Sequence, residues 1–229
     1  MEAFIHQGGG RMINEEKTRL LLDSPEAIKA MEFQQSLIHE HRVARYPGAP
    51  AADLFGGKIG WWIRSTASLR DYLQRGVDAG LPISAAPLPC GVQCYAPIGG
   101  GAIYAVNTGT EAQREASYLL ISFLARPENL ARYAAASGYM VTRRSALTTD
   151  IMQQTIAKDP EFLVTYNQLS VAHPETQAPE WGKIQLLWEN NPAFLDPIFY
   201  DNAPVRPVME DTVRKANAIL DEFWQRYKQ

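Results

Sequence analysis

Phe123-Leu124-Ala125-Arg126-Pro127-Glu128-Asn129-Leu130-Ala131-Arg132-Tyr133-Ala134-Ala135-Ala136-Ser137-Gly138-Tyr139-Met140-Val141-Thr142-Arg143 is the stretch from which the rest of the chain can be worked out. Pro127 lacks the amide that a helix interior requires, so it ends one helix and occupies the first position of the next, with Glu128 in the first turn where the helix dipole favours an acid. The new helix runs through Leu130 and Tyr133, and Gly138 can close it in the left-handed conformation. Upstream, Thr110-Glu111-Ala112-Gln113 matches a capping box. Ala112, Ala116, Leu119, Leu120 and Phe123 then recur at helical spacing. Before them, Ile98-Gly99-Gly100-Gly101-Ala102-Ile103-Tyr104-Ala105-Val106 predicts a glycine turn entering a strand.

Further out, Ser24-Pro25-Glu26-Ala27 predicts a helix start, with an apolar stripe that ends before the loop Tyr46-Pro47-Gly48-Ala49-Pro50. Lys58-Ile59-Gly60-Trp61-Trp62-Ile63 is β-branched and aromatic and predicts a strand, followed by the polar turn Arg64-Ser65-Thr66-Ala67-Ser68 and a helix through Leu69, Tyr72 and Leu73. Pro82, Pro87 and Pro89 suit an extended crossing segment or an edge strand. Gly8-Gly9-Gly10 is assigned to a strand-connecting loop. Helical patterns recur at about 148–171 and 182–189, and a last helix from near Pro207 carries Met209, Val213, Ala216, Leu220, Phe223 and Tyr227 on one side. Interleaved strands and helices give an α/β class with a helix-rich second half.

Composition limits the function. The chain has 229 residues, 46% of them hydrophobic and 21% charged, which is an ordinary globular balance and allows one large domain or two small ones. A net charge of −3 with no basic run argues against nucleic acid as a partner. Apolar runs such as Tyr118-Leu119-Leu120-Ile121 fall far short of the roughly 18 to 20 residues of a membrane span. The start, Met1-Glu2-Ala3-Phe4-Ile5-His6-Gln7-Gly8, carries neither part of a secretory signal. Cys90 and Cys94 enclose three residues, a spacing compatible with an oxidised bridge, a reduced pair or two unrelated thiols.

Taken in order, Phe55-Gly56-Gly57-Lys58-Ile59-Gly60, Ala86-Pro87-Leu88-Pro89, Ile98-Gly99-Gly100-Gly101, Phe123-Leu124-Ala125-Arg126-Pro127-Glu128 and Ser137-Gly138-Tyr139-Met140-Val141-Thr142-Arg143 resemble the extracellular solute-binding proteins of ABC importers, in the family 1 branch that takes sugars and glycerol 3-phosphate compounds. Val141 stands where that family usually has proline. The resemblance spans roughly residues 4 to 225 and covers only the carboxy-terminal portion of family members, which are about twice as long. It implies a type II periplasmic-binding-protein-like α/β fold: residues 1–82 and 127–229 in the second lobe, and 83–126 as a crossing segment with a strand-helix excursion into a first lobe that is mostly missing. A truncated or late-started reading frame is the expectation that follows. The full-length protein would be periplasmic or extracellular, with a lipid anchor as one means of attachment, and its partners would be a small-molecule solute, the permease subunits in the membrane and the missing first lobe.

By the same resemblance, ligand contacts lie on loops facing a cleft that closes by hinge motion. Ser65, Thr66 and Ser68 offer hydroxyls and backbone amides, or simply an N-cap. Gly99 and Gly100 permit close backbone approach, or simply a turn. Tyr139 and Trp181 offer faces for a sugar ring, and Arg143 a fork for phosphate or carboxylate; half-buried packing and solvation are the plain alternatives. Trp61 and Trp62 point to opposite faces of a strand. Ile59, Trp61 and Ile63 share the face expected to be buried, which leaves Trp62 for the ligand. Arg64, Arg143 or Lys183 could serve a phosphate or merely face water.

Catalysis finds little footing. His6, His39, His41 and His173 show no metal spacing, and His39-Glu40-His41 puts two imidazoles about 200° apart on a helix. There is no nucleophile elbow, phosphate-binding loop or dinucleotide fingerprint. The expectation is therefore a reversible binder with no catalytic residue, metal or cofactor; the alternatives are a non-binding remnant, a complementing lobe for another polypeptide, or, further behind, a carbohydrate-active enzyme.

Overall fold

A computed structural model describes residues 1–46, 48–98, 103, 105, 108–172 and 178–227. In chain order its helices are α1 (Glu2–Gln7), α2 (Pro25–His39), α3 (Pro50–Phe55), α4 (Leu69–Asp78), α5 (Glu111–Leu124), α6 (Pro127–Ser137), α7 (Arg144–Leu147), α8 (Asp150–Lys158), α9 (Phe162–Asn167), α10 (Trp181–Gln185), α11 (Pro192–Phe199) and α12 (Val205–Tyr227). Their boundaries follow local chemistry. Ser24 Oγ accepts the Ala27 amide at 3.2 Å, and Thr110 and Gln113 form the reciprocal box predicted for α5. Pro127 opens α6, and Gly138 ends it at φ +109°.

Helix dominates the described residues, and their β pairing is limited to one antiparallel bridge between Ile13 and Leu20. The strand expected at 58–63 does not form. The Lys58 amide turns back to Asp53 O at 2.8 Å, and residues 61–65 have no ladder partner among the described residues. β-branched and aromatic residues favour a pleated surface only where another strand completes it. The glycines at 8–10 do not connect strands either: Gly8 and Gly9, the latter at φ +86°, close α1. The strand expected after Gly101 falls largely outside the described residues.

The chain divides into two compact units, the first comprising Met1–Ala49, Leu88–Ile98 and Val171–Gln229, the second Pro50–Pro87 and Gly99–Ser170. In the first unit, Met209, Val213, Ala216 and Leu220 of α12 pack with Ala27, Ile28 and Met31 of α2 and Phe194 and Ile198 of α11 in one broad core. Asn217 accepts the Leu20 amide at 2.9 Å, and Gln35 donates to Ile198 O and Ala203 O at 2.8 and 2.7 Å. Tyr46 donates to Asp196 at 2.7 Å; burial, and then that bond, holds the phenol in its neutral form to higher pH than usual. Cys90 and Cys94 are joined as a disulfide in this unit.

The second unit has a smaller core, made by Leu69, Ala131, Ala134, Val141, Ala146, Met152 and Phe162. Arg70 crosses its rim, donating to Asp159 at 2.5 Å and to Ala135 O at 3.1 Å with its guanidinium over Phe162. No residue of α5 is buried, and Tyr118, Leu119 and Leu120 are all more than half exposed.

Candidate functional site

The second unit brings two of the nominated loops together. Thr66–Ser68 forms a single tight turn that feeds α4, and Ser65 Oγ accepts the Ala67 amide at 3.3 Å. Ser65 is thus engaged as a cap. Ser68 precedes α4 without a side-chain capping bond, and Thr66 and Ser68 are half-buried. Gly138 lies directly against this turn: a Cβ at 138 would stand 2.5 Å from Thr66 O and 2.6 Å from Leu69 Cβ. Only glycine combines that approach with a φ of +109°. The end of α6 is therefore seated on the start of α4, with Tyr139 leaving from the junction.

Tyr139 is exposed and stacks on Tyr133, ring centroids 5.6 Å apart and planes at 24°. Tyr133 was not singled out from the sequence, although a signal existed: the residue after a helix-closing glycine commonly packs on the helix's last turn. Two residues on, Val141 is buried and its amide donates to Tyr166 Oη at 2.9 Å. That bond uses an N–H which proline, the usual residue at this place in the resemblance, does not have. Burial pushes the Tyr166 phenol up from its ordinary value, and the Val141 amide opposes the shift.

The remaining candidates part company. Arg143 donates to Ala125 O at 2.9 Å and so closes the carboxy end of α5. Trp62 is half-buried, edge-on to Tyr72 at 5.7 Å, with the Arg64 guanidinium 5.4 Å from its ring centre. Trp61 is 66% exposed and Ile63 is exposed, with Ile59 half-buried, so Trp61 and Ile63 do not occupy the buried face expected of them. Without a ladder, strand alternation has no sheet to refer to, and Tyr72 of α4 decides which indole is covered. Trp181 belongs to the other unit, packed against that core and edge-on to Trp188 at 5.7 Å. Lys183, also in that unit, pairs with Glu180 at 2.6 Å. Gly99 and Gly100 lie outside the described residues.

The first unit carries a polar groove of about 410 Å³ lined by Glu32, Gln35, Ser36, His39, Glu40 and Asn202. Its Gln35 and His39 are already bonded to backbone carbonyls of Ile198, Ala203 and Phe199. Among the described residues no group of His, Cys, Asp and Glu side chains could hold a metal ion, and no helix is long and apolar enough to cross a membrane.

A family profile described as bacterial extracellular solute-binding protein matches residues 7–163. The chain belongs to that family. No curated protein matches it. Among solved structures it is similar to UgpB from Mycobacterium tuberculosis in complex with glycerophosphocholine, at 24% identity and a TM-score of 0.81, with 96% of this chain and 55% of that one covered. It is also similar to the sugar-binding protein MalE from Xanthomonas citri (18% identity, TM-score 0.78, 99% and 57% covered) and to a solute-binding protein from Thermotoga lettingae bound with tagatose (17%, 0.75, 96% and 55%). The fold is that of the type II periplasmic-binding-protein-like proteins, and the chain spans a little over half the length of these structures. The family is one of bacterial extracellular solute-binding proteins, and the similar structures include a sugar-binding protein and proteins holding glycerophosphocholine or tagatose.

Proposed function

We propose that this chain contributes one wall of the solute cleft of an ABC importer's binding protein, takes a sugar or a glycerol-phosphate-like solute, and presents it to permease subunits in the membrane. The observation that carries the reading is the seating of Gly138 on the Ser65–Ser68 turn, which sets an exposed tyrosine beside half-buried hydroxyls. An aromatic face covers the C–H face of a sugar or glycerol backbone, while hydroxyls and amides bond its oxygens. Residues outside this sequence would supply the opposite wall, since the similar structures are longer; the lobe assignments 1–82, 83–126 and 127–229 and the truncated frame belong to the same proposal. Gly99, Gly100 and Trp62 remain part of it, and no residue is assigned a catalytic, metal or cofactor role.

Of the three cations nominated for a phosphate, Arg64 suits the role best. Arg143 closes α5 and Lys183 pairs with Glu180. Arg64 is stacked over Trp62, next in sequence to Ser65, and forms no ion pair among the described residues. Glycerophosphocholine and tagatose, bound in two of the similar structures, represent the two solute classes.

The test is a thermal-shift and calorimetric series on the 229-residue chain with mono- and disaccharides, glycerol 3-phosphate and its diesters, since a ligand selective for the folded state raises the melting temperature. One class should give a dose-dependent shift, and Tyr139→Ala should weaken it roughly three- to tenfold, the worth of one aromatic stack. No shift with any solute favours the second reading, a non-binding remnant or complementing lobe. The exposed apolar side chains of α5 speak for that reading.

A further inference from the structure

We infer that the Cys90–Cys94 disulfide is a redox-operated clamp, which when oxidised fastens the segment 88–98 onto the carboxy end of α1 and when reduced lets it go. The inference rests on the first unit alone and is independent of which solute is bound.

The bridge closes Gly91, Val92 and Gln93 into a small loop, its Cα atoms 4.4 Å apart. That loop sits on the end of α1. Gln93 donates through its amide to Gln7 O at 3.3 Å and through Nε2 to His6 O at 2.7 Å, supplying donors to carbonyls at the helix terminus. In return Gln7 Nε2 donates to Tyr95 O at 3.1 Å, the Tyr95 ring stacks on His6 at 4.0 Å, and its hydroxyl donates to Glu2 at 2.7 Å. The approach is so close that a Cβ at 91 would stand 2.6 Å from Gln7 O. Glycine is therefore required at that point of the loop.

Three features make this a switchable contact and not merely a staple. Residues 88–98 have no helix or strand of their own, and between Cys90 and Cys94 the clamp's bonds are the ones that tie them to α1, while the Ala96 amide is held separately by Val171 O at 3.3 Å. Helix α1 has six residues, too few to persist without tertiary support; Ile5 anchors it in the core, and the clamp is what meets its carboxy end. Both cysteines are exposed, while Tyr95 and Ala96 just after them are buried, so a reductant can reach the sulfurs without entering the core. A dithiol is the matching reagent: one of its thiolates attacks a bridge sulfur, the S–S bond breaks into a mixed disulfide, and its second thiol displaces the chain. Two electrons and two protons pass to the protein, leaving thiols at 90 and 94 and a disulfide on the reagent. The five-residue loop then opens, and the geometry that aims Gln93 at α1 is lost.

Hydrogen–deuterium exchange on the full chain tests this, comparing oxidised protein, protein reduced with a dithiol, and Cys90→Ser/Cys94→Ser. Peptides covering 4–10 and 91–98 should exchange at least about fivefold faster after reduction, α8 should be unchanged, and reoxidation should restore protection. Should the double variant fail to fold, reversible reduction of the parent chain carries the test. Gln93→Ala, with the bridge intact, should reproduce part of the increase at 4–10. Unchanged protection on reduction overturns the clamp, as does an equal rise across α8.

Discussion

The two units turn similar helical sequences to different ends. In the first, the apolar stripes of α2, α11 and α12 converge in one broad core assembled from both ends of the chain. In the second, the best-capped helix, α5, has no buried residue, and the core beneath the candidate site reduces to Val141 and a few side chains on α4, α6, α7, α8 and α9. The first unit therefore resists change, whereas the second holds its site by a few anchors: Gly138 against Thr66, Val141 on Tyr166, Arg70 between Asp159 and Ala135. A site so held is sensitive to single substitutions close by.

The largest expected effect tests that contrast directly. Phe162→Ala removes the principal aromatic of the second core and should cost about 3–5 kcal/mol, read by urea denaturation with exchange at peptides of α6, α8 and α12. Protection should fall in α6 and α8 and persist in α12. Leu220→Ala, a fully buried position of the other core, should show the reverse pattern at about 2–5 kcal/mol. If either variant lowers protection in both units equally, the division into a robust and a lean unit is wrong.

How much of this could be read from the sequence follows the range of the forces involved. Caps are local, so Ser24, the Thr110–Gln113 box, Pro127 and Gly138 were legible and the structure has each in place. Strands are not local: Lys58–Ile63 has the composition of a strand but no partner among the described residues, and the alternation that assigned Trp61 to a buried face went with it. Helix α11 was hidden because Pro192 and Pro197 fall within eight residues, yet Asn191 caps it by accepting the Ala193 amide. At the site, the ordered motifs identified the family and brought Thr66 and Tyr139 forward as candidates. Which unit Trp181 folds with is a tertiary fact that no local pattern encodes.

A middle-sized effect concerns the junction itself. Gly138→Ala meets two penalties, a left-handed φ of +109° and a Cβ driven against Thr66 O. Gly80→Ala, also in the second unit, meets only the first, since its φ is +67° and open space surrounds it. The backbone term is about 1 kcal/mol, so Gly80→Ala should lose about that much. Gly138→Ala should lose about 2–3 kcal/mol, with the Tyr139 loop displaced and any solute-induced thermal shift abolished. Equal losses at the two glycines would mean that the close approach, and with it the proximity of the two loops, contributes nothing.

The smallest effect separates the units by pH. Tyr166 in the second unit and Tyr46 in the first both have phenol values raised above the ordinary 10.0, Tyr166 by burial against the pull of the Val141 amide, Tyr46 by burial and then by Asp196. A raised value means that folding favours the protonated form, so the contribution is complete below pH 10 and is lost as pH climbs through the folded-state value. Tyr166→Phe removes both the titration and the acceptor of the Val141 amide. It should cost about 1 kcal/mol at neutral pH and flatten the alkaline decline in exchange protection of residues 138–147, leaving that of α11 untouched. Tyr46→Phe should do the converse. A decline at 138–147 that survives Tyr166→Phe would show that the loop bearing Tyr139 is anchored by something other than the Val141–Tyr166 bond.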